Sequence, residues 1–123
     1  MLAKVDRIFG WLLVLASCLH AAGTVMWTPF MSGLFVWSLG ASLAAAVLGA
    51  LNLVRAGRPH DTTVAAIAAA GTAGWVLVAL GFGKSIGNLW DPRVVSNVVI
   101  GMVLVAFSIM TLRRSPITKR GAH

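Results

Sequence analysis

The sequence predicts an all-α integral membrane protein with four transmembrane helices, arranged as two helical hairpins that repeat in the same orientation. Of its 123 residues, 59% are hydrophobic and 11% are charged, and the mean hydropathy is +0.89. Soluble domains carry about a quarter charged residues. Three uncharged runs give the number of spans, and a one-sided distribution of cations gives their orientation.

The uncharged runs contain no Asp, Glu, Lys or Arg. Residues 8–54 form a run of 47 (54 − 8 + 1), and one membrane helix needs about 20, so this run holds two spans and a tight turn. Residues 62–83 and 94–112 hold one span each. We therefore predict a single four-helix membrane domain over residues 1–123. Its helices are expected at about residues 6–26, 29–54, 62–83 and 92–113.

The cations are distributed unevenly over the predicted loops. One side of the membrane receives Lys4, Arg7, Arg55, Arg58, Arg113, Arg114, Lys119 and Arg120. The other side receives only Lys84 and Arg93. Positive residues stay in the cytoplasm, which places both termini and the middle loop inside, as expected in a bacterial inner membrane. Anionic lipid headgroups attract such basic ends, so the net charge of +7 requires no nucleic-acid partner.

Two Trp-x-Pro stretches indicate an internal duplication. "GWLLVLASCLHAAGTVMWTP" at residues 10–29 aligns, after one deleted residue, with "GWVLVALGFGKSIGNLWDP" at residues 74–92. The predicted repeat halves are residues 10–54 and 74–113. A two-helix unit begins and ends on the same side, so the second copy enters in the same orientation, as in a parallel repeat.

Each Trp-x-Pro stretch also has a local interpretation. Thr28 and Asp91 are suitable N-cap residues, and the proline that follows each suits the first helical position. Trp27 and Trp90 then lie at the outer headgroup level, where aromatic residues are enriched. The stretches are thus predicted to be interfacial anchors and helix starts.

Rows of small residues predict where the helices pack, because close backbone approach holds membrane helices together. The four-residue rows are Ser38, Ser42, Ala46 and Ala50 in helix two, Ala66, Ala70 and Gly74 in helix three, and Asn97 and Gly101 in helix four. The amides of Asn52 and Asn97 are expected to bond between helices.

A helix pair marked by Trp and Pro, and repeated twice in a small four-span protein, resembles the SPW repeat family of bacterial and archaeal membrane proteins. "SNVVIGMVLVAFSIMTL" at residues 96–112 is similar to the second helix of such a unit. The resemblance covers residues 10–53 and 74–112, with Trp-Thr-Pro and Trp-Asp-Pro in place of Ser-Pro-Trp. It implies no catalytic activity, since the family has no established chemistry.

Few side chains in the predicted spans are suited to chemistry. Asp6, Asp61 and Asp91 fall at predicted helix ends, which argues against proton-driven exchange through an intramembrane carboxylate. A heme held by two histidines would need His20 from two copies of the chain. Cys18, the single cysteine, lies two residues from His20 and so on another helical face. We expect no enzyme, no metal and no cofactor.

The repeat alignment places His20 opposite Lys84, at the outer ends of helices one and three. The residues expected to gather at this outer mouth are His20, Trp27, Lys84, Trp90, Asp91, Arg93 and Asn97. Aromatic walls with a few polar groups suit a lipid headgroup, a quinone ring or the acidic loop of a partner. In the alternative interpretation, Lys84 snorkels to the interface and His20 bonds to a neighbouring helix.

Two functions follow. The first is a non-catalytic small integral subunit or accessory protein, which packs against membrane lipids and a larger membrane complex or further copies of itself. The second is a lipid, quinone or small-molecule binding protein, or a permease, that uses the outer mouth near His20 and Lys84.

Overall fold

The computed structural model describes residues 1–114, which form four helices. They are α1 (Leu2–Trp27), α2 (Gly33–Ala56), α3 (Thr62–Ser85) and α4 (Pro92–Arg114). Each is long and apolar enough to cross a membrane, which confirms the predicted all-α, four-span architecture. The predicted cytoplasmic cations Lys119 and Arg120 lie outside the described residues.

Short connections between successive helices give the bundle two distinct ends. The basic end carries the N-terminus, the α2–α3 connection at residues 57–61 and the last turn of α4. The Trp-Pro end carries the connections at residues 28–32 and 86–91. Helix α1 packs mainly on α2 and α3 mainly on α4, while contacts between these two hairpins are sparser.

The two Trp-x-Pro stretches differ in local structure. Helix α2 begins at Gly33 and not near residue 29, because its N-cap is Ser32, whose hydroxyl accepts from the Phe35 N–H at 3.2 Å. Thr28 instead ends α1, and its N–H donates to the Thr24 carbonyl. The prediction of Thr28 as an N-cap was therefore wrong. At the second stretch α4 does begin at Pro92, where the Asp91 carboxylate accepts from the Arg93 N–H at 2.9 Å.

Buried positions in the two halves of the sequence correspond at a fixed spacing, and this spacing differs from that between the two Trp-x-Pro stretches. Trp27 and Trp90 lie 63 positions apart (90 minus 27), whereas the caps Ser32 and Asp91 lie 59 apart (91 minus 32). Buried positions pair at the same interval of 59: Leu13 with Thr72, Ser17 with Val76, Thr24 with Gly83, Phe35 with Val94, Ser42 with Gly101, Ala45 with Leu104, and Gly49 with Ser108. At this interval His20 corresponds to Ala79, and not to Lys84.

The packing faces of α2 and α3 are shifted from the predicted small-residue rows. On α2 the buried face runs through Ser42, Ala45, Gly49 and Asn52. On α3 it runs through Ala65, Ala68, Thr72 and Val76, while Ala66, Ala70 and Gly74 are exposed. An α-helix has 3.6 residues per turn, so a strict four-residue row drifts around the helix, and only alternating steps of three and four stay on one face.

Close helix contacts depend on glycine at a few positions. A Cβ added at Gly49 would lie 2.7 Å from Val14 Cγ2, so α1 and α2 approach closely at that point. A Cβ at Gly101 would lie 2.6 Å from Val76 Cγ2, as expected for a packing contact of α4. Gly74, by contrast, has nothing within 4 Å of an added Cβ. Each hairpin thus has a glycine where its two helices approach closely, and these two glycines lie at different heights in the bundle.

The hydrophobic core lies at mid-height. Leu13, Ala45 and Leu104 are between 0 and 2% exposed, with Phe9 and Trp75 among the apolar residues packed around them. On α1 and α2, polar residues are buried on both sides of these positions. The core therefore separates the interior of the bundle into a half near the basic end and a half near the Trp-Pro end.

Candidate functional site

A cavity of about 270 Å³ opens between the helices in the half near the Trp-Pro end. All four helices line it. Its aromatic walls are Trp37, Trp75 and Phe82, and most of the remaining lining is aliphatic or small. Its polar lining consists of Ser17, His20, Ser38, Ser42, Arg93 and Asn97. An apolar pocket with a few polar groups is the usual form of a small-molecule site.

His20 is fixed to the neighbouring helix. Its Nδ1 lies 2.8 Å from the hydroxyl of Ser42 on α2, and that hydroxyl donates to the Ser38 carbonyl at 3.0 Å. His20 lies seven residues before the end of α1 (27 minus 20), well inside the helix. The bond to Ser42 agrees with the interpretation that His20 bonds between helices. His20 nevertheless also lines the cavity.

Trp75 and Asn97 join α3 to α4 on another wall of the cavity. The Trp75 indole N–H donates to Asn97 Oδ1 at 3.2 Å, and Asn97 Nδ2 donates to the Arg93 carbonyl at 2.7 Å. An indole can only donate and a carbonyl can only accept, so these two partners fix the orientation of the amide. The expectation that Asn97 bonds between helices is confirmed.

Arg93 forms an ion pair with Asp91 at the cavity mouth. Its Nε and Nη2 each lie 2.9 Å from a different carboxylate oxygen, and its guanidinium lies 5.4 Å from the centre of the Phe82 ring. The hydrogen bonds from the Arg93 side chain and backbone lower the pKa of Asp91 to about 2. The arginine charge is therefore balanced by its neighbour.

The structure brings only some of the predicted mouth residues together. His20, Arg93 and Asn97 line one cavity, and Asp91 joins them through Arg93. Trp27 and Trp90 are 84% and 86% exposed and do not line it.

Lys84 is the penultimate residue of α3 and does not line the cavity either, whereas His20 lies two turns inside α1. The predicted pairing of Lys84 with His20 is wrong, because the halves match at 59 residues. Sequence reasoning also missed Phe82 and Ser42, whose roles depend on helix rotation.

A second group of polar side chains is buried in the half near the basic end. We call Asp6, Asn52, Arg55, Thr72 and Ser108 the buried polar cluster; it draws on all four helices. Arg55 is 1% exposed and donates to both oxygens of Asp6, at 2.9 and 2.5 Å.

Asn52 joins that ion pair to the other helices. Its Oδ1 accepts from Arg55 Nε at 3.3 Å, and its Nδ2 donates to Thr72 Oγ1 at 2.9 Å. The hydroxyl of Ser108, which donates to the Leu104 carbonyl at 2.9 Å, lies 3.4 Å from the same Oδ1. Among the described residues, every buried side-chain N or O atom has a hydrogen-bond partner. The expected interhelical role of Asn52 is confirmed.

The burial of Asp6 and Arg55 corrects the sequence interpretation, which placed Asp6 at a helix end and Arg55 after the end of the second helix. Helix α1 begins at Leu2, four residues before the predicted start, and α2 continues to Ala56. Both charges therefore fall within helices, where they are buried against each other. Buried charges require such pairing.

No known protein family, no curated protein and no solved structure matches this chain. The resemblance to the SPW repeat family stays a prediction. We therefore infer the function from the geometry of the two buried regions.

Proposed function

We propose that this chain is a non-catalytic membrane protein that binds a small amphipathic molecule, such as a lipid, a quinone or another membrane-soluble compound. The observation that carries the proposal is the cavity of about 270 Å³ between the two hairpins. Ligand pockets of about 300–1,000 Å³ are typical, so a small molecule, or one end of a larger one, is the appropriate size.

The lining supports an amphipathic ligand. Trp37, Trp75 and Phe82 offer apolar aromatic surface, while His20 and Asn97 offer polar groups already held in place by protein hydrogen bonds. Groups held in this way do not have to be ordered when the ligand binds, which reduces the entropic cost of binding.

The position of the cavity supports entry from the lipid. Leu34 and Trp37 line it, yet they are 69% and 80% exposed on the outside of α2. A compound dissolved in the bilayer thus reaches the cavity without passing through the bundle. We therefore favour a binding protein, or a permease that takes its substrate from the membrane, with a mouth formed by His20, Arg93 and Asn97.

Filling the cavity tests this function. In Ala41→Phe the new ring enters the cavity from α2, whereas the matched control Ala44→Phe adds the same ring to the exposed face of the same helix, outside the cavity lining. We expect mass spectrometry of protein purified in mild detergent to detect a bound small molecule in the native chain and in Ala44→Phe. It should be lost from Ala41→Phe. The same bound molecules in all three proteins would contradict the proposal.

A second candidate, an accessory subunit of a larger membrane complex or a homo-oligomer, has one specific observation in its favour. Ala66, Ala70 and Gly74 form a row of small residues that the four helices leave exposed. Such a face permits close approach of another membrane helix. Mild-detergent purification should then recover a stoichiometric partner or a further copy, and Gly74→Leu should release it. Recovery of the lone chain under several gentle conditions would count against this candidate.

Either function is proposed for the bacterial inner membrane, with the basic end in the cytoplasm. Support comes from the exposed cations Lys4, Arg7, Arg58 and Arg113, all near that end of the bundle. Positive residues are retained on the cytoplasmic side.

A further inference from the structure

We infer that the cavity ligand is an uncharged aromatic alcohol, a phenol or hydroquinone, whose hydroxyl donates a hydrogen bond to Nε2 of His20. This inference rests on the proposed binding function and specifies its ligand class. It is based on which donors and acceptors of the cavity wall are already bonded within the protein and which are left for a ligand.

The proton of Ser42 determines the tautomer assigned to His20. A serine hydroxyl has one proton, and we assign that of Ser42 to the Ser38 carbonyl, 3.0 Å away in the preceding turn of α2. With the proton in that position, the Ser42 oxygen accepts from His20 Nδ1 at 2.8 Å; a Ser42 that donated to Nδ1 would instead leave the ring proton on Nε2. A neutral imidazole that donates from Nδ1 carries an unprotonated Nε2. Within residues 1–114, no hydrogen bond involves Nε2, so this acceptor remains available to a ligand.

The charges around the cavity disfavour an ionic ligand. An unprotonated Nε2 attracts a donor and repels a carboxylate or a phosphate. Arg93, the cation on the cavity wall, already has two of its nitrogens bonded to the two oxygens of Asp91. A ligand ammonium would lie near that guanidinium. None of the described residues that line the cavity carries a carboxylate, and the nearby carboxylate of Asp91 is already paired with Arg93. Burying an unpaired charge is costly, so an uncharged donor fits best.

The aromatic side chains of the cavity favour a ligand with an aromatic ring. Trp37, Trp75 and Phe82 are three of the cavity walls, and aromatic rings pack favourably in edge-to-face or offset arrangements. The Trp75 N–H already donates to Asn97, so Trp75 offers only its ring surface. Asn97 Nδ2 has a second N–H beyond the one directed to the Arg93 carbonyl, which suits a second ligand oxygen. An aromatic ring with one or two hydroxyl groups would pack against these three aromatic side chains and bond to His20 Nε2 and Asn97 Nδ2.

The test uses matched probes and a matched pair of variants. The probes are 4-hexylphenol, its methyl ether (which has the same body but no hydroxyl proton) and the anionic 4-hexylbenzoate. In His20→Asn the amide still has an N–H to donate to Ser42, but nothing occupies the position of Nε2. The control is His60→Asn, in the exposed α2–α3 connection at the opposite end. Affinities are measured by calorimetry on the purified full chain in one detergent.

We expect the native chain and His60→Asn to bind the phenol about tenfold more tightly than the ether, as for one added hydrogen bond, and to bind the benzoate least. In His20→Asn the phenol should fall to the affinity of the ether, while the ether is unchanged. Equal affinity for phenol and ether in the native chain would overturn this inference, but it would leave the proposed function standing if Ala41→Phe abolishes both. Failure of the native chain to bind either probe would overturn this inference, whereas the proposed function is tested separately by the mass spectrometry of the native chain and Ala41→Phe.

A second measurement applies if His20→Asn does not fold. In the native chain labelled with ¹⁵N-histidine, the ring nitrogens of His20 report the tautomer directly. We expect a protonated Nδ1 and an unprotonated Nε2, and a shift of the Nε2 resonance with the phenol but not with the ether. A protonated Nε2 with an unprotonated Nδ1, or identical shifts with both probes, would overturn the inference.

Discussion

The two halves of the bundle use polar residues in opposite ways. Near the basic end, Arg55 and Asn52 are 1% exposed, and their side chains bond to other members of the buried polar cluster. Near the Trp-Pro end, His20 and Asn97 each have protein partners but line an open cavity, with bonding positions left over. A closed polar network stabilises one arrangement of helices, whereas a partly used one is available to a ligand.

Packing between the hairpins explains this difference. Toward the basic end, an added Cβ at Gly71 of α3 would lie 2.7 Å from Leu48 of α2, so the two hairpins meet closely at that level. Toward the Trp-Pro end, side chains of both hairpins, among them Ala41 of α2 and Ala79 of α3, line the cavity of about 270 Å³. The helices of different hairpins therefore approach closely in one half and leave room for a cavity in the other.

The largest expected effect comes from opening the buried polar cluster. Asp6→Leu leaves the Arg55 charge buried without its carboxylate, and we expect the free energy of unfolding to fall by about 3–5 kcal/mol. The double variant Asp6→Leu/Arg55→Met replaces the pair by apolar side chains and should recover most of that loss. Reversible unfolding in mixed detergent micelles measures both.

The control for that experiment is Arg58→Met. Arg58 is 63% exposed and lies 3.8 Å from Asp61, and an exposed ion pair contributes only about 0–1 kcal/mol. If the double variant were as unstable as Asp6→Leu alone, the loss could not be assigned to an unpaired buried charge. The contrast between a closed and an open half would then fail.

An intermediate effect compares one substitution in the two halves. Ala68 is 0% exposed near the basic end, so Ala68→Phe overpacks the interior and should lower the free energy of unfolding by about 1–3 kcal/mol or more. Ala41→Phe places the same ring in the cavity and should change the free energy of unfolding by less than about 1 kcal/mol. The free energies of unfolding of both variants, measured under one condition, test this difference. Equal losses would show that the Trp-Pro half is as tightly packed as the other.

The smallest effect concerns the ion pair at the cavity mouth. Because the pKa of Asp91 is lowered from 3.8 to about 2, its carboxylate contributes stability above pH 4, and this contribution is lost as the pH falls toward 2. The difference in melting temperature between the native chain and Asp91→Asn should therefore be constant from pH 7 to pH 5. It should disappear near pH 2. A difference that vanished already at pH 4 would mean that Arg93 does not hold the carboxylate charged.

Some features were predictable from the sequence because they depend on local composition. Runs of apolar residues longer than a bilayer requires must become helices, since a chain in lipid has to satisfy its own backbone hydrogen bonds. The four spans and the start of α4 at Pro92 followed from such runs and from local capping chemistry. The interhelical bonding of Asn52 and Asn97 followed because an amide in lipid seeks a partner on a neighbouring helix.

Other features were decided only by the tertiary structure, because burial depends on which face of a helix meets its neighbours. The Asp6–Arg55 pair joins residues 49 positions apart, and no local pattern indicates that both charges point inward. Ser32 rather than Thr28 caps α2, which sets the register at 59 residues and places Ala79 rather than Lys84 opposite His20. Hydropathy fixed the number of helices, whereas their rotation and spacing decided where the cavity lies and which polar groups line it.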